Sequence, residues 1–178
     1  VRNTYDSQGR VNEQRDGNNH LATFAYDTPE PSRTTISDAL GKTTIHAHEP
    51  PYKLLFTIEN PLGDVLTYGY DANNNRNAIT DRNGQTTAFE YDARGNVTRA
   101  AEPDHEADPN DGGVTQVTLG ELRFPDLPTR KVDALGFVTD WTYDNRGNVS
   151  TEKRWLDPEQ TRSVTRSWTY NEFGQRET

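Results

Sequence analysis

The sequence predicts an all-β chain, an antiparallel meander of repeated β-hairpins. Three observations carry that expectation. A phrase returns along the chain: "YDARGNV" at 91–97 reappears as "YDNRGNV" at 143–149, opens the chain as "YDSQGRV" at 5–11 and fades as "YNEFGQR" at 170–176. Each copy places Asp, or Asn171 in the last, at a fixed offset from Gly, which is a turn signal. The segments between turns alternate with a period of two, which is a strand signal. A short unit that recurs builds an array, and in an array function belongs to the assembled surface more than to one residue.

The unit has two halves. The first reads Tyr-Asp-x-x-Gly-x-Val. The second reads Asp-x-x-Gly-x-x-Thr-x-aromatic-x-Tyr and leads into the next Tyr-Asp. "DRNGQTTAFEYD" (81–92) and "DALGFVTDWTYD" (133–144) are clean second halves. "NPLGDVLTYGYD" (60–71) has Asn60 for Asp, "DGNNHLATFAYD" (16–27) has Asn19 for Gly, and "DALGKTTIHAHE" (38–49) has His46 and His48 where the aromatics belong. The spacing from Asp71 to Asp92, and from Asn60 to Asp81, gives a period of about 21 residues.

Each half carries a turn. The first-position carboxylate accepts a hydrogen bond from the turn's own backbone, and the fourth-position glycine supplies the positive φ that lets a type I turn rejoin a twisted ladder. Asn19 and Asn74 stand at glycine positions, as the residue that best tolerates that conformation. The turn formers singled out are Asp81, Gly84, Asp92, Gly95, Asp133, Gly136, Asp144 and Gly147. Two turns per repeat predict strands of roughly six to eight residues.

Along a strand, side chains alternate between faces. Thr87, Phe89 and Tyr91 share one face, as do Phe137, Thr139, Trp141 and Tyr143. Phe24 with Tyr26, Tyr68 with Tyr70, and Trp168 with Tyr170 repeat the pattern. Equivalent strands lie two apart, roughly 10 Å. The expected result is an aromatic and threonine band on one face, led by Phe89, Tyr91, Trp141, Tyr143, Trp168 and Tyr170, with a mixed polar face behind it.

Composition fits a thin β structure without a thick core. Only 30% of the 178 residues are hydrophobic, yet there are 3 Trp, 8 Tyr and 6 Phe. The net charge is −9 with dispersed cations, which argues against nucleic acid and anionic membrane as partners. The absence of cysteine excludes disulfides, thiol catalysis and cysteine zinc sites. No apolar run reaches the roughly 20 residues of a membrane-spanning helix. Residues 1–178 are read as a single array with partial repeats at both ends, and so as an excerpt of a longer polypeptide.

The repeat is interrupted in places. "TPEPSR" (28–33) and the prolines of 49–53 end strands; "AEPDHEADPNDGG" (101–113) is an acidic loop insertion; "GELRFPDLPTR" (120–130) re-enters the repeat; "WLDPEQTRS" (155–163) is a further turn excursion.

The Tyr-Asp-x-x-Gly-Asn-Val unit, with its Asp-x-x-Gly-x-x-Thr-x-aromatic-x-Tyr partner, resembles the YD-repeat or RHS-repeat family over nearly the whole chain. That family includes bacterial polymorphic toxins, the C components of insecticidal toxin complexes, and the teneurins. The resemblance implies a segment of a spiralling β-sheet shell. In bacterial members the shell holds a C-terminal toxin domain inactive until delivery. The chain does not display the family's C-terminal core region, where self-cleavage occurs, nor a toxin domain.

Other residue patterns compete with the repeat as explanations. His46 and His48, with Glu49 beside them, put two imidazoles on one strand face, as a metal site requires; they also occupy the positions of Phe89 and Tyr91, and the repeat explains them more simply. Asp104, Glu106, Asp108, Asn110 and Asp111 before Gly112 resemble a calcium loop, but Pro109 interrupts it and no bidentate glutamate follows at the required distance. Asp6, Asp71, Asp81, Asp92, Asp133 and Asp144 recur at turn positions and are turn makers before they are catalytic carboxylates. His20 and His105 are isolated. No hydrolase, phosphate-loop or zinc-protease motif is present.

The expectation is therefore a non-enzymatic wall segment of a larger secreted or cell-surface bacterial protein, with no cofactor and no metal. Its partners are the rest of its own polypeptide and an enclosed C-terminal toxin or effector domain. The alternative is a carbohydrate-binding or adhesion module that stacks sugars on the aromatic face. Unpaired edge strands also invite self-association of the isolated piece.

Overall fold

The computed structural model describes residues 1–50, 53–103, 113–121 and 123–177. The acidic insertion from Asp104 to Gly112, with His105 and the calcium-loop candidates Glu106, Asp108, Asn110 and Asp111, lies outside them. Strand order is chain order from first to last in a 15-stranded sheet, and the strand pairings among the described residues are antiparallel. Among the described residues there is no helix, so none is long and apolar enough to cross a membrane.

The chain divides into two units, residues 1–86 and 87–178. The first holds β1 (Arg2–Tyr5), β2 (Val11–Arg15), β3 (Leu21–Tyr26), β4 (Arg33–Ser37), β5 (Thr43–Glu49), β6 (Leu54–Glu59), β7 (Val65–Tyr70) and β8 (Arg76–Thr80). The second follows from β9 (Thr86–Tyr91) through β10 (Val97–Ala101), β11 (Val114–Glu121), β12 (Phe124–Val132), β13 (Val138–Tyr143) and β14 (Val149–Trp155) to β15 (Ser163–Ser167). In each unit successive turns fall on opposite rims of the meander, because each strand reverses the one before it.

Strands of the regular repeats are five to six residues long, shorter than the sequence pattern predicts. The turn explains the difference. Asp81 N–H donates to the Gln85 carbonyl and Gly84 N–H donates to the Asp81 carbonyl, so each turn absorbs five residues. The same pair of bonds closes the turns at Asp6, Asp16, Asp38, Asn60, Asp71, Asp92, Asp133, Asp144 and Asn171. Gly84 has φ 84° and Gly147 has φ 87°, the left-handed residue that follows a type I turn in a three-residue hairpin loop. Asn19 (66°) and Asn74 (65°) hold the same conformation.

The two halves of the repeat differ in a way the sequence pattern did not predict. The second-half turns run straight into the ladder: Val132 pairs Val138, and Glu59 pairs Val65. The Tyr-Asp turns carry an additional irregularity, since Tyr143 pairs Val149 while Thr142 pairs Thr151, leaving Ser150 extra. Asn12, Asn77 and Thr98 are the extra residues of the corresponding hairpins. A bulge re-aims a side chain and increases local twist; here it sits beside the repeated tyrosine.

The segment 120–130 departs from the expected turn chemistry. It is the tip and second strand of a hairpin formed by β11 and β12, with Pro125 and Pro128 inside β12. Proline cannot donate to a ladder, and the register shifts between Thr118 and Leu119 and again before Glu121 accommodate the pair. The excursion after β14 folds back on its own unit: the Arg130 guanidinium reaches the Gln160 amide oxygen at 2.5 Å, and Pro158 lies 3.4 Å from where a Cβ on Gly136 would stand.

Burial is shallow. Among the described residues only Val138, 2% exposed, is a fully buried hydrophobic. The aromatics of the band, Phe89, Tyr91, Trp141, Tyr143, Trp168 and Tyr170, are half-buried. The fold is held by its ladder and by cross-strand pairs, not by a closed core.

Candidate functional site

The surface divides into an aromatic face and two turn rims. Phe89, Tyr91, Trp141, Tyr143, Trp168 and Tyr170 are half-buried. The first four stand on β9 and β13; Trp168 and Tyr170 follow β15, where Trp168 N–H donates to the Ser150 carbonyl and Tyr170 bridges Arg176.

Within the band the two aromatic positions do different work. The tyrosine that precedes the turn aspartate uses its hydroxyl. Tyr26 donates to the Val11 carbonyl at 2.8 Å, Tyr70 to Leu55 at 2.7 Å, Tyr143 to Pro128 at 2.6 Å and Tyr170 to Val149 at 3.0 Å. Tyr26 and Tyr70 tie the end of their strand to the beginning of the strand before it; Tyr143 reaches the middle of β12, and Tyr170, beyond β15, reaches the start of β14. Burial raises the Tyr143 phenol above its ordinary value. The position two residues earlier needs only a ring, and Phe24, Tyr68, Phe89, Trp141 and Trp168 all fill it.

Ring faces on this band are covered by cations. Arg10 lies 4.2 Å from the Tyr26 centroid, Arg76 is 4.4 Å from Tyr68, and Arg176 is 4.9 Å from Trp168, all within cation–π range. The Trp141 indole donates to Glu152, its cross-strand partner, at 3.3 Å. Trp155 is the aromatic the repeat pattern missed. Its indole donates to Asp140 at 2.8 Å, and Lys153 sits 3.7 Å over its ring. Asp140 and Trp141 are consecutive, so Trp155 belongs to the opposite face.

At the rims, the first-position carboxylate or amide accepts two backbone N–H bonds at one oxygen. Asp144 takes those of Arg146 (2.8 Å) and Asn148 (2.9 Å), and Asp81, Asp92 and Asp133 take the equivalent pairs. The other oxygen accepts the fifth-position side chain: Asn75 to Asp71 at 3.0 Å, Asn96 to Asp92 at 3.2 Å, Asn148 to Asp144 at 2.9 Å. His20, isolated by sequence, fills the same position against Asp16 at 2.9 Å. These donors hold the Asp16, Asp71, Asp92 and Asp144 carboxyls below their ordinary value. The Asn148 side chain is the main cause at Asp144 and the Asn75 side chain at Asp71; at Asp92 it is the backbone N–H of Asn96.

The third turn position carries a second device. Arg146 donates to the carbonyls of Asn171 and Glu172, at 3.3 and 2.6 Å, in the next turn on its rim. Arg94 likewise bonds the Pro125 carbonyl and pairs with Asp126, both at 2.6 Å. Arg123 reaches the Asn145 carbonyl at 3.4 Å, so consecutive turns on one rim of the second unit are stitched together. The shared Arg of "YDARGNV" and "YDNRGNV" was the available signal. On other turns the same position is apolar and open to solvent: Leu40 is 80%, Leu62 85%, Leu135 76% and Phe173 79% exposed.

His46 and His48 stand on β5, paired with Ile58 and Leu55. Burial, then the neighbouring His48 charge, pushes the His46 imidazole down. Among the described residues no group of three or more His, Cys, Asp or Glu is placed to hold a metal ion.

The RHS repeat family model matches residues 55–84 and 78–107. Among solved structures, the chain is similar to TcdB2-TccC3 without its hypervariable C-terminal region, at 16% identity and a TM-score of 0.68, covering 96% of this chain and 10% of that one. It is similar to the Photorhabdus luminescens Tc holotoxin pore carrying a TccC3 substitution, at 15% identity and a TM-score of 0.60, covering 94% and 9%. A further TcdB2-TccC3 crystal structure gives 16% identity and a TM-score of 0.56, covering 94% and 10%. The chain thus spans about a tenth of the solved chains it matches, and the likeness is one of fold.

Proposed function

We propose that this chain, which the RHS repeat model matches over residues 55–107, is an array of such repeats throughout and a stretch of wall in a larger protein that encloses a C-terminal toxin or effector domain. The observation that carries the reading is the 15-stranded order combined with a single fully buried hydrophobic side chain among the described residues. In each unit, a ladder with so little core separates one side from the other. The mechanism is confinement. A continuous ladder denies proteases and partners access to the cargo, and a lining of half-buried rings capped by charged groups gives a non-native chain few strong apolar sites to adhere to.

The wall works without catalysis, and its partners are the remainder of the same polypeptide and the enclosed domain. Its setting is a secreted or cell-surface bacterial toxin. A sugar stacked on the aromatic face would compete with Arg10, Arg76 and Arg176 for the faces of Tyr26, Tyr68 and Trp168. The test is limited proteolysis of the full-length polypeptide. The C-terminal domain should resist cleavage in the wild-type chain and become cleavable when Gly147→Val disrupts one turn. Equal cleavage of the C-terminal domain in both, with the wall itself intact, would refute confinement.

A further inference from the structure

Strand β5 breaks the repeat at both aromatic positions. His46 stands where Phe24, Tyr68, Phe89, Trp141 and Trp168 supply a ring. His48 stands where a tyrosine elsewhere donates its hydroxyl to the preceding strand, as Tyr26, Tyr70 and Tyr143 do. The two imidazoles are two residues apart, so they share one face of the sheet, and both are half-buried. In place of the tyrosine bond, the end of β5 meets the loop of residues 27–32 through its backbone: the His48 N–H donates to the Ser32 carbonyl at 2.9 Å. Within that loop the Ser32 N–H donates to the Asp27 carboxylate at 3.1 Å and the Arg33 N–H to the Glu30 carbonyl at 3.3 Å.

Neither ring is provided with a counter-charge. His46 lies between its cross-strand partners Thr34 of β4 and Ile58 of β6. His48 lies opposite Leu55 of β6 and faces a space lined by Arg10, Tyr26, Asp27, Arg33 and Lys53. The carboxylates near that space are already engaged: Asp27 by Arg10 at 3.5 Å and by the Ser32 N–H, Asp6 by Arg10 at 2.8 Å, and Glu30 by Arg33 at 3.3 Å. The Tyr26 and Tyr70 hydroxyls, on β3 and β7, are committed to the Val11 and Leu55 carbonyls. Glu59 pairs Ile45, so it stands on the other face, and Glu49, next along from His48, is exposed. Among the described residues neither imidazole has a hydrogen bond or an ion pair. Burial, then the charge on His48, lowers the His46 value, so the fold resists protonation there.

We propose that the His46–His48 pair is an acid-sensitive release: charging both imidazoles frees the end of β5 from the 27–32 loop while the rest of the ladder stays closed. Two like charges on one strand face, roughly 7 Å apart along the strand, repel each other. Half-buried charges are screened less than exposed ones. Arg10, Arg33 and Lys53 add to the repulsion and do not relieve it. Histidine is the side chain whose ordinary titration falls between about pH 5 and pH 8. The turn carboxyl of Asp71 titrates below 3.8, so the release comes before any loss of the turns. A Phe–Tyr pair, as at Phe24 and Tyr26, has no such response. The inference concerns one lock in the first unit and is independent of what the wall encloses.

Hydrogen–deuterium exchange of the intact polypeptide at about pH 7.5 and about pH 5.5, corrected for the intrinsic pH dependence of amide exchange, tests it. Protection of the Ser32, Arg33 and His48 amides should fall about tenfold at the lower pH. Amides at 60–64 and 71–75 should keep theirs. His46→Phe combined with His48→Tyr restores the residues of the repeat and should abolish the fall. His46→Phe alone leaves one imidazole and should reduce the fall to about threefold or less. Unchanged protection in the wild-type chain would overturn the proposal. So would a gain in protection, which would mean that charged His48 pairs with Asp27. A uniform loss across the first unit, or a fall that survives in both variants, would overturn it as well.

Discussion

The Tyr143 hydroxyl on β13 donates to the Pro128 carbonyl on β12 across 2.6 Å. Pro128 sits at a register shift, where the ladder alone does not hold β12 in place. Tyr143→Phe keeps the ring and removes only this bond. It is expected to cost about 1 kcal/mol, the net value of one hydrogen bond. Phe89→Tyr, at the ring-only position, should change stability by less than about 0.5 kcal/mol. Urea denaturation of the two variants reads the difference, and equal effects would contradict the division of labour between the aromatic positions.

Glycines at equivalent turn positions should not be equally sensitive. Gly63 and Gly147 both have φ near 86–87°. A Cβ on Gly63 meets nothing within 4 Å, whereas on Gly147 it would lie 3.2 Å from Phe124. Both alanine variants incur the left-handed strain of about 1–2 kcal/mol. Gly147→Ala should lose roughly a further 1 kcal/mol from overpacking. Thermal melts with the same order for both variants would argue that Phe124 moves aside freely.

Arg146 holds a neighbouring turn more than it holds its own. Its contacts are to the carbonyls of Asn171 and Glu172 and are solvent-exposed. Arg146→Gln should therefore leave global stability almost unchanged. Amide hydrogen exchange should instead accelerate at residues 171–175, with no change at 133–137. Uniform acceleration across the second unit would show that the arginine acts globally.

Stability should fall toward acid. The carboxyls of Asp6, Asp16, Asp71, Asp92, Asp144 and Asp157 lie below their ordinary value of 3.8 in the folded chain. The unfolded chain thus binds more protons in that window, so their contribution is complete above the ordinary value and is lost as pH drops through the depressed folded values. His46 acts in the same direction at higher pH: its folded value lies below 6.5, so its contribution begins to fade as pH falls past 6.5. Asn60 and Asn171 accept the same two backbone bonds that Asp144 accepts. Asp144→Asn should preserve the turn and flatten the acid limb of a urea midpoint measured from pH 7 to pH 3. An unchanged acid limb would remove Asp144 from the account.

Much of the fold was legible because its grammar is local. Asp and Gly at a fixed offset determine a turn, and a period of two determines a strand, so the antiparallel meander needs no long-range information. What was not legible depends on register. The extra residue at Ser150 follows Val149 with no composition cue, and only the pairing of Thr142 with Thr151 exposes it. The tyrosine hydroxyl bonds span 15 residues in three of four cases, too far for a local pattern to reveal. Trp155 was missed because it lies at the end of a Val strand and faces away from the band. Pro125 and Pro128 obscured β12, since prolines ordinarily argue against a strand. The Arg of "YDARGNV" was visible in the sequence, but its target lies one whole hairpin away.

The arginine stitches also restrict how such an array can change length. Each reaches from a turn to the next turn on its own rim, a step of two strands. Gain or loss of a single strand would put the turns on either side of it on opposite rims, so the stitch spanning that strand loses its partner carbonyl, while stitches wholly before or after it keep theirs. Gain or loss of two leaves all of these relations intact. A parity rule follows for each stitch: an even number of strands added or removed beneath it keeps both of its turns on one rim, and an odd number parts them.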